Sequence, residues 1–402
     1  MSFSIFEHVE LAPRDPILGL TEAFNADQRP NKVNLGVGVY YDDRGRVPLL
    51  RAVEAAEKKR LSSPSAHGYL PIEGLASYNS GVQKLLFGAG SQILSEGRIV
   101  TLQALGGTGA LKLGADFIKR LLPGAQLALS NPSWENHRAL FEAAGFQVSL
   151  YPYYDAATNG IDFAGMLAAL EALPAGSVLL LHACCHNPTG IDLDSQQWRQ
   201  VVDLAVKRDL IPFIDIAYQG FGDGLEADRL AIQLFVEAGI NFFVASSFSK
   251  SFSLYGERVG ALSIVTSNAD EAKRVLSQIK RTIRTNYSNP PTYGAAVIAD
   301  VLTTPELYSE WEQDLGEMRE RIRTVRSGLV EGLSSQIKDR DFSFIVEQRG
   351  MFSYSGLTPS QVEKLAKDFG IYAVSTGRIC VAALNSKNIG YVCEAISSVI
   401  TH

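Results

Sequence analysis

The chain has 402 residues, 46% of them hydrophobic and 20% charged, a globular composition that leaves no room for a disordered, collagenous or coiled-coil protein. That length points to two domains, and two domains bring a cleft between them. With 37 Lys and Arg against 43 Asp and Glu, a net charge of -6 and no long basic run, the counterion release that holds proteins on nucleic acid has no source here, so no DNA or RNA partner is expected.

The first ten residues carry neither a positive n-region nor an apolar h-region, and no stretch approaches 18 consecutive apolar residues. A cytoplasmic protein with no membrane partner is expected. Residues 1–45, ending in a Gly-rich turn at 35–40, hold too little apolar sequence to stand alone and are expected to join the C-terminal part. The middle alternates short apolar runs with amphipathic stretches, the pattern of strand-helix-strand units in a parallel sheet. It predicts strands at 126–129, 178–181, 211–216, 242–245 and 261–265, several of them apolar throughout, as strands covered on both faces must be. A helix is predicted over 111–122, with Leu111, Gly114, Ala115, Ile118, Leu121 and Leu122 on one face.

Toward the C-terminus, Trp311, Leu315, Met318, Ile322, Val325 and Leu329 recur at alternating four- and three-residue steps. They predict a long helix whose stripe faces the core rather than a coiled-coil partner. Strand-like pieces at 342–346 and 351–354 and a final helix complete a smaller α+β unit. The fold class is α/β, with a large domain over 46–310 built on a mostly parallel sheet and a small domain made of 1–45 and 311–402. No internal repeat or low-complexity segment interrupts it. The four cysteines, Cys184, Cys185, Cys380 and Cys393, form neither a disulfide framework nor a C-x-x-C clip and read as reduced, buried thiols. His182 and His186 have helical spacing, but Pro188 beside them argues against the helix a zinc pair needs, and no metal is assigned.

Chemistry gathers at the ends of these strands. Leu-Gly-Gly-Thr-Gly-Ala at 105–110 opens a helix, and a Gly-rich turn into a helix N-terminus can hold a phosphate. It lacks the spacing of a dinucleotide fingerprint or a P-loop, so alone it says little. The apolar run 210–216 carries one carboxylate, Asp215, at its carboxyl end, where open α/β sheets bind ligands and where a buried acid needs a positive partner. The next strand runs into Ser246-Ser247-Phe248-Ser249-Lys250, and a desolvated lysine becomes a nucleophile toward carbonyls. Arg258, eight residues on, offers a planar fork suited to phosphate. Taken together, a phosphate cup, an acid, a lysine and an arginine at the ends of one α/β core are the kit for pyridoxal phosphate. Asn187 and Tyr218 stand on neighbouring strand-end loops, where Tyr218 could bond the cofactor's phenolic oxygen.

At this point the sequence resembles the class I aminotransferases of fold type I, in the aspartate and aromatic amino acid branch. The resemblance runs over nearly the whole chain, from Asp15-Pro-Ile-Leu-Gly-Leu20 to Gly377-Arg378. It implies a fold type I transferase using pyridoxal 5'-phosphate. Lys250, in Ser-Phe-Ser-Lys-Ser-Phe-Ser-Leu-Tyr-Gly-Glu-Arg-Val-Gly, resembles the Schiff-base lysine and Asp215 the pyridinium partner. Tyr218 and Asn187 match residues on the phenolic oxygen, and Gly106, Gly107, Thr108, Ser247 and Arg258 match the phosphate cup. Trp134, in Trp-Glu-Asn-His137, resembles the indole stacked on the pyridine ring. Arg378 corresponds to the clamp on the substrate α-carboxylate, with Gly38 close by. Tyr69 and Arg284 resemble residues that reach a neighbouring active site, which implies a homodimer.

Tyr-Leu-Pro-Ile-Glu-Gly, Trp-Glu-Asn-His and Leu-Tyr-Gly-Glu-Arg are more similar to bacterial tyrosine aminotransferases than to strict aspartate enzymes. Arg284 nonetheless suits the side-chain carboxylate of a dicarboxylic donor. The expected activity is transfer of an amino group from an aromatic or dicarboxylic L-amino acid to a 2-oxo acid such as 2-oxoglutarate, aromatic donors preferred, with aspartate aminotransferase as the alternative. A decarboxylase or lyase would gain little from an arginine fixing the α-carboxylate. A non-enzymatic binder of the cofactor would not need Arg284 and Arg378 together.

Overall fold

The computed structural model describes residues 4–12, 17–64 and 66–401. Residues 1–3 of the N-terminal stretch, and Asp15 and Pro16 where the family resemblance begins, lie outside the described residues.

Seven strands build the central sheet: β1 (Ile99–Leu105), β2 (Leu127–Asn131), β3 (Val148–Pro152), β4 (Val178–His182), β5 (Ile211–Ile216), β6 (Phe242–Ser247) and β7 (Val259–Val265). They lie in the order β1-β7-β6-β5-β4-β2-β3. All neighbours are parallel except β7, which is antiparallel to both β1 and β6. Reversing β7 brings its first residue to the edge where the other strands finish. Leu105, Asn131, His182, Ile216, Ser247 and Val259 therefore open onto one side of the sheet, and His182, Asp215 and Ala245 stand in register across it.

The five predicted strands of the sheet appear here: 211–216 with the same bounds, 126–129 as 127–131, and the others one or two residues longer. The central ones are buried along nearly their whole length because helices cover both faces. Helix α1 (Gly106–Leu121) follows β1 without a loop and packs directly on the sheet. A Cβ at Gly114 would come within 2.4 Å of the Phe213 ring, so only glycine permits that approach. Leu111, Ala115 and Ile118 are buried as expected, but Leu121 and Leu122 are 55% and 43% exposed. They fall on the last turn and its cap, where the periodicity continues but nothing covers it.

Three further helices bear on the site's surroundings. Helix α2 (Glu135–Ala143) follows β2. Helix α3 (Ala269–Asn286) is capped by Asn268, whose side chain accepts from the Glu271 amide at 2.9 Å. Helix α4 (Pro305–Gln336) runs for 32 residues from a proline in its first turn, where the missing N–H costs nothing. Its Trp311-to-Leu329 stripe is buried, so it is a core-facing helix. Near its start Trp311 Nε1 donates to Ser251 O at 2.7 Å, just past Lys250. Farther on, the buried Arg326 donates to Ile345 O and Gly350 O at 2.8 Å each. One helix thus ties the cleft wall to the C-terminal segment.

That segment pairs with the N-terminal one, where Val33–Asn34 lies parallel to Ile371–Tyr372, and within itself, where Phe352–Tyr354 lies antiparallel to Arg378–Cys380. The strand expected at 342–346 is instead a single helical turn, Phe344–Glu347. Buried Phe342 and Phe344 around exposed Ser343 imitate a strand's alternation, but Ile345 is buried too. Asp341 starts the turn by accepting from both the amide and the hydroxyl of Ser343 at 2.8 Å. All four cysteines are free and buried.

Candidate active site

The edge shared by the strand ends is the floor of a cleft enclosing about 260 Å³. Its wall includes Gly107 and Thr108 after β1, Trp134 after β2, Asn187 after β4, Asp215 and Tyr218 at the end of β5, and Ser247 and Lys250 at the end of β6. Arg258, just before β7, Gly38 from the N-terminal segment and Arg378 from the C-terminal one complete it. Eleven candidate residues that the sequence scatters over more than 300 positions thus face one space.

The Lys250 ammonium lies over the Tyr218 ring, 4.9 Å from its centroid. Burial pulls its pKa down to about 8, with the charges of Arg258 and Arg378 acting the same way and Asp215 opposing them. A fraction of the amine is therefore free near neutral pH. Burial drives the Asp215 carboxyl upward, but the hydrogen bond from His137, with the Lys250 ammonium also nearby, outweighs it and holds the group below the usual carboxylate range.

The hydrogen bonds around Asp215 run in one direction. The Asn187 amide donates to His182 Nδ1 at 3.1 Å, which leaves the proton of this ring on Nε2, 3.3 Å from Ser133 Oγ. Burial and the neighbouring His137 lower the His182 pKa to about 3, so the ring is neutral. Ser133 can then pass its own proton toward His137 Nδ1 at 2.9 Å, and His137 Nε2 donates to Asp215 Oδ2 at 2.9 Å. The sequence reading missed this relay of Ser133, His137 and His182. Serine and histidine at these spacings carry no signal until the fold brings three strand ends together.

At one end of the cleft is the phosphate-sized cup. Gly106 has φ +68°, and a Cβ there would meet the Arg258 guanidinium at 2.5 Å, so glycine keeps the arginine pressed against the first turn of α1. Arg258 donates to Ser249 Oγ at 3.2 Å and to Tyr255 O at 3.0 Å. Free amides at a helix start, hydroxyls of Thr108 and Ser247, and a planar cation make a site for a phosphate dianion. At the other end Arg378, 2% exposed, donates to Gly36 O at 2.7 Å and Asn187 Oδ1 at 3.2 Å and lies over the Phe352 ring. Its Nε is buried without a hydrogen-bond partner. These features fit pyridoxal phosphate: an anion cup, an acid held ionised, an amine kept partly neutral and a second cation with bonding capacity to spare.

Three candidates are not on the cleft wall: Gly106, which lies behind Arg258, and two that lie away from it. Tyr69 is 95% exposed, and Arg284, at the end of α3, is exposed and donates to Ser288. Tyr255, which lines the cleft and accepts the Tyr40 amide at 2.9 Å, is a wall residue the sequence did not mark.

Fold and cleft define a fold type I pyridoxal-phosphate-dependent enzyme. Residues 30–396 match the family model for aminotransferases of class I and II, and the chain belongs to that family. It is 66% identical to a Pseudomonas aeruginosa protein named aspartate aminotransferase, over 99% of this chain and 100% of the relative. Its fold matches an aromatic-amino-acid aminotransferase from Burkholderia pseudomallei, covalently bound to pyridoxal phosphate, with a TM-score of 0.97 and 64% identity over 99% of this chain and 100% of that one. An aromatic amino acid aminotransferase from Psychrobacter sp. B6, cocrystallised with aspartic acid, matches with TM-score 0.97 and 47% identity over 99% and 100%. Among the described residues no helix is long and apolar enough to cross a membrane.

Proposed function

We propose that the chain transfers the amino group of an aromatic or dicarboxylic L-amino acid to a 2-oxo acid such as 2-oxoglutarate in a ping-pong cycle, with aromatic donors preferred. The observation that carries this reading is the placement of Lys250 and Asp215 on adjacent strand ends of one cleft that also holds two cations, Arg258 and Arg378. One cation serves the cofactor's phosphate and the other the substrate.

Pyridoxal phosphate, when bound, supplies the electron sink that lets a proton leave the donor's α-carbon. Arg258, Ser247, Thr108, Gly106 and Gly107 hold its phosphate, and Trp134 covers its ring. Asp215, kept ionised by His137, holds a proton on the ring nitrogen. Tyr218 and Asn187 hydrogen-bond the phenolic oxygen. Arg378 fixes the donor's α-carboxylate through charge-assisted hydrogen bonds, with Gly38 leaving room for it. Lys250 Nζ, partly neutral at physiological pH, is placed to take the proton from the donor's α-carbon and would deliver it to the cofactor's aldehyde carbon. Fixing the α-carboxylate favours transamination over decarboxylation, which must let that group leave.

Tyr69 and Arg284 act in the second active site of a homodimer, Tyr69 on the cofactor and Arg284 on the side-chain carboxylate of aspartate or glutamate. Their exposure in a single chain supports this reading. The protein works in the cytoplasm. Preference for aspartate is the second reading, favoured by the name of the Pseudomonas relative.

The test is spectroscopic. The purified holoenzyme should absorb in the visible, and phenylalanine, tyrosine or aspartate alone should shift that absorbance and release a stoichiometric keto acid. Release of carbon dioxide, or no shift with any of the three, overturns the proposal. The ratio of kcat/KM for phenylalanine to that for aspartate decides between the two readings.

A further inference from the structure

A second carboxylate shares the neighbourhood of Arg378. Glu135, the first residue of α2 and next to Trp134, places Oε2 3.8 Å from Arg378 Nη1. That is an ion-pair distance but too long for a hydrogen bond. Glu135 Oε2 is buried, and among the described residues no hydrogen bond reaches it. A carboxylate oxygen removed from water and left unbonded is costly unless something charged faces it. Here two things do: the guanidinium, and the N-terminal end of the helix on which Glu135 sits.

Arg378 is equally underused. Among the described residues its Nη groups reach a carbonyl and an amide oxygen, Nε reaches no partner, and no carboxylate is hydrogen-bonded to it. Glu135 therefore stands close enough to neutralise part of the charge and too far to fill the bonding positions.

We infer that Glu135 is an affinity-setting residue: the resident counter-charge of Arg378, which keeps the guanidinium balanced between turnovers and weakens its hold on every α-carboxylate that docks there. This rests on the reading of Arg378 as the α-carboxylate clamp. An incoming carboxylate takes the free bonds but meets a like charge a few ångströms away, in a site too dry to screen it fully. The penalty is common to substrate, product and transition state, so it raises KM without serving the chemical step, and it speeds release of the keto acid. It is also blind to the side chain, because it acts only at the α-carboxylate end.

The experiment compares the parent holoenzyme with Glu135→Gln and Glu135→Ala. Binding of 3-phenylpropanoate, an unreactive monocarboxylate, is measured by calorimetry, and kcat and KM are measured for phenylalanine and aspartate. Removing the charge should tighten 3-phenylpropanoate roughly three- to thirtyfold and lower both KM values by a similar factor, while kcat does not rise. The same ligand is titrated into Arg378→Leu and Arg378→Leu/Glu135→Gln. In the Arg378→Leu background binding should be weak, and Glu135→Gln should not restore parental affinity, because the clamp itself is gone. Unchanged or weaker binding in both single Glu135 variants overturns the inference and makes Glu135 a structural support of the arginine. If Arg378→Leu alone leaves binding intact, the clamp reading itself fails, and the two failures are thus distinguishable.

Discussion

His137 Nε2 lies 2.9 Å from Asp215 Oδ2, and the histidine is fully buried behind the acid. The contact joins the start of α2 to the end of β5, and Ser133 and His182 set its direction. Asp215 is held ionised from behind, in a place where burial alone pushes its carboxyl upward.

His137→Phe should therefore weaken the hold on the cofactor without touching it. A hydrogen bond to a charged group is worth about 1.5–3 kcal/mol, so the cofactor Kd should rise by roughly ten- to a hundredfold and kcat should fall. Asp215→Ala should be worse, and Asp215→Glu milder. Titrating cofactor into the cofactor-free proteins measures this, and an unchanged Kd in His137→Phe would show that Asp215 keeps its charge without the relay.

Lys250→Ala should fold and bind cofactor non-covalently yet lose turnover by several orders of magnitude, because one side chain both anchors the cofactor and carries the α-proton. Single-turnover rates with phenylalanine are the measurement. Retention of even a tenth of the parent rate is incompatible with the assignment.

The lowered pKa of Lys250 makes a prediction about stability in the cofactor-free protein. Folded, the amine loses its proton at about 8, and unfolded near its ordinary value of 10.5. Between those values the unfolded chain binds more protons, so stability rises with pH across the window; below 8 the penalty of burying the cation is fully present. The gain is bounded at about 3 kcal/mol. Lys250→Met should be the more stable protein at pH 7, and its advantage should shrink toward pH 10.5 in urea denaturation. An advantage that does not change with pH would mean the amine is not desolvated.

What the sequence revealed and what it hid follow from the same physics. The central strands were legible because burial on both faces demands unbroken apolar runs. The outer strands were not: β1 carries buried Thr101 and Gln103, satisfied by Ser263 and by Pro291 O, while β3 is an edge strand in which only Tyr151 is buried, so its apolar residues follow no core-facing pattern. Asp215, Lys250 and Arg258 stood out as charges that apolar strands must have a reason to end on. The relay behind Asp215 was silent, since its partners meet only in three dimensions. Tyr69 and Arg284 were visible only through family resemblance, because exposed residues at a chain's surface look alike whether they face water or a second subunit.

Arg284 gives the sharpest test of specificity and of assembly at once. If it pairs with a dicarboxylic side chain, Arg284→Leu removes a charge-assisted pair and leaves the substrate carboxylate unmatched, so kcat/KM for aspartate should fall by at least about ten- to a hundredfold. Phenylalanine makes no such pair and should be nearly unaffected or improve. Arg378→Leu is the control: both donors share the α-carboxylate, and both should fall together. Equal losses for the two donors in Arg284→Leu would remove the dual-specificity reading. Because Arg284 is exposed in its own chain and away from its own cleft, the proposed homodimer adds a stricter requirement. Lys250→Ala and Arg284→Leu subunits, each poor with aspartate as pure dimers, should complement when dissociated and reassembled together. The hybrid has one site with an intact Lys250 and its partner's intact Arg284, so a statistical mixture should recover roughly a quarter of parental aspartate activity. If mixing restores nothing while hybrids demonstrably form, Arg284 acts within its own chain and the shared site is wrong.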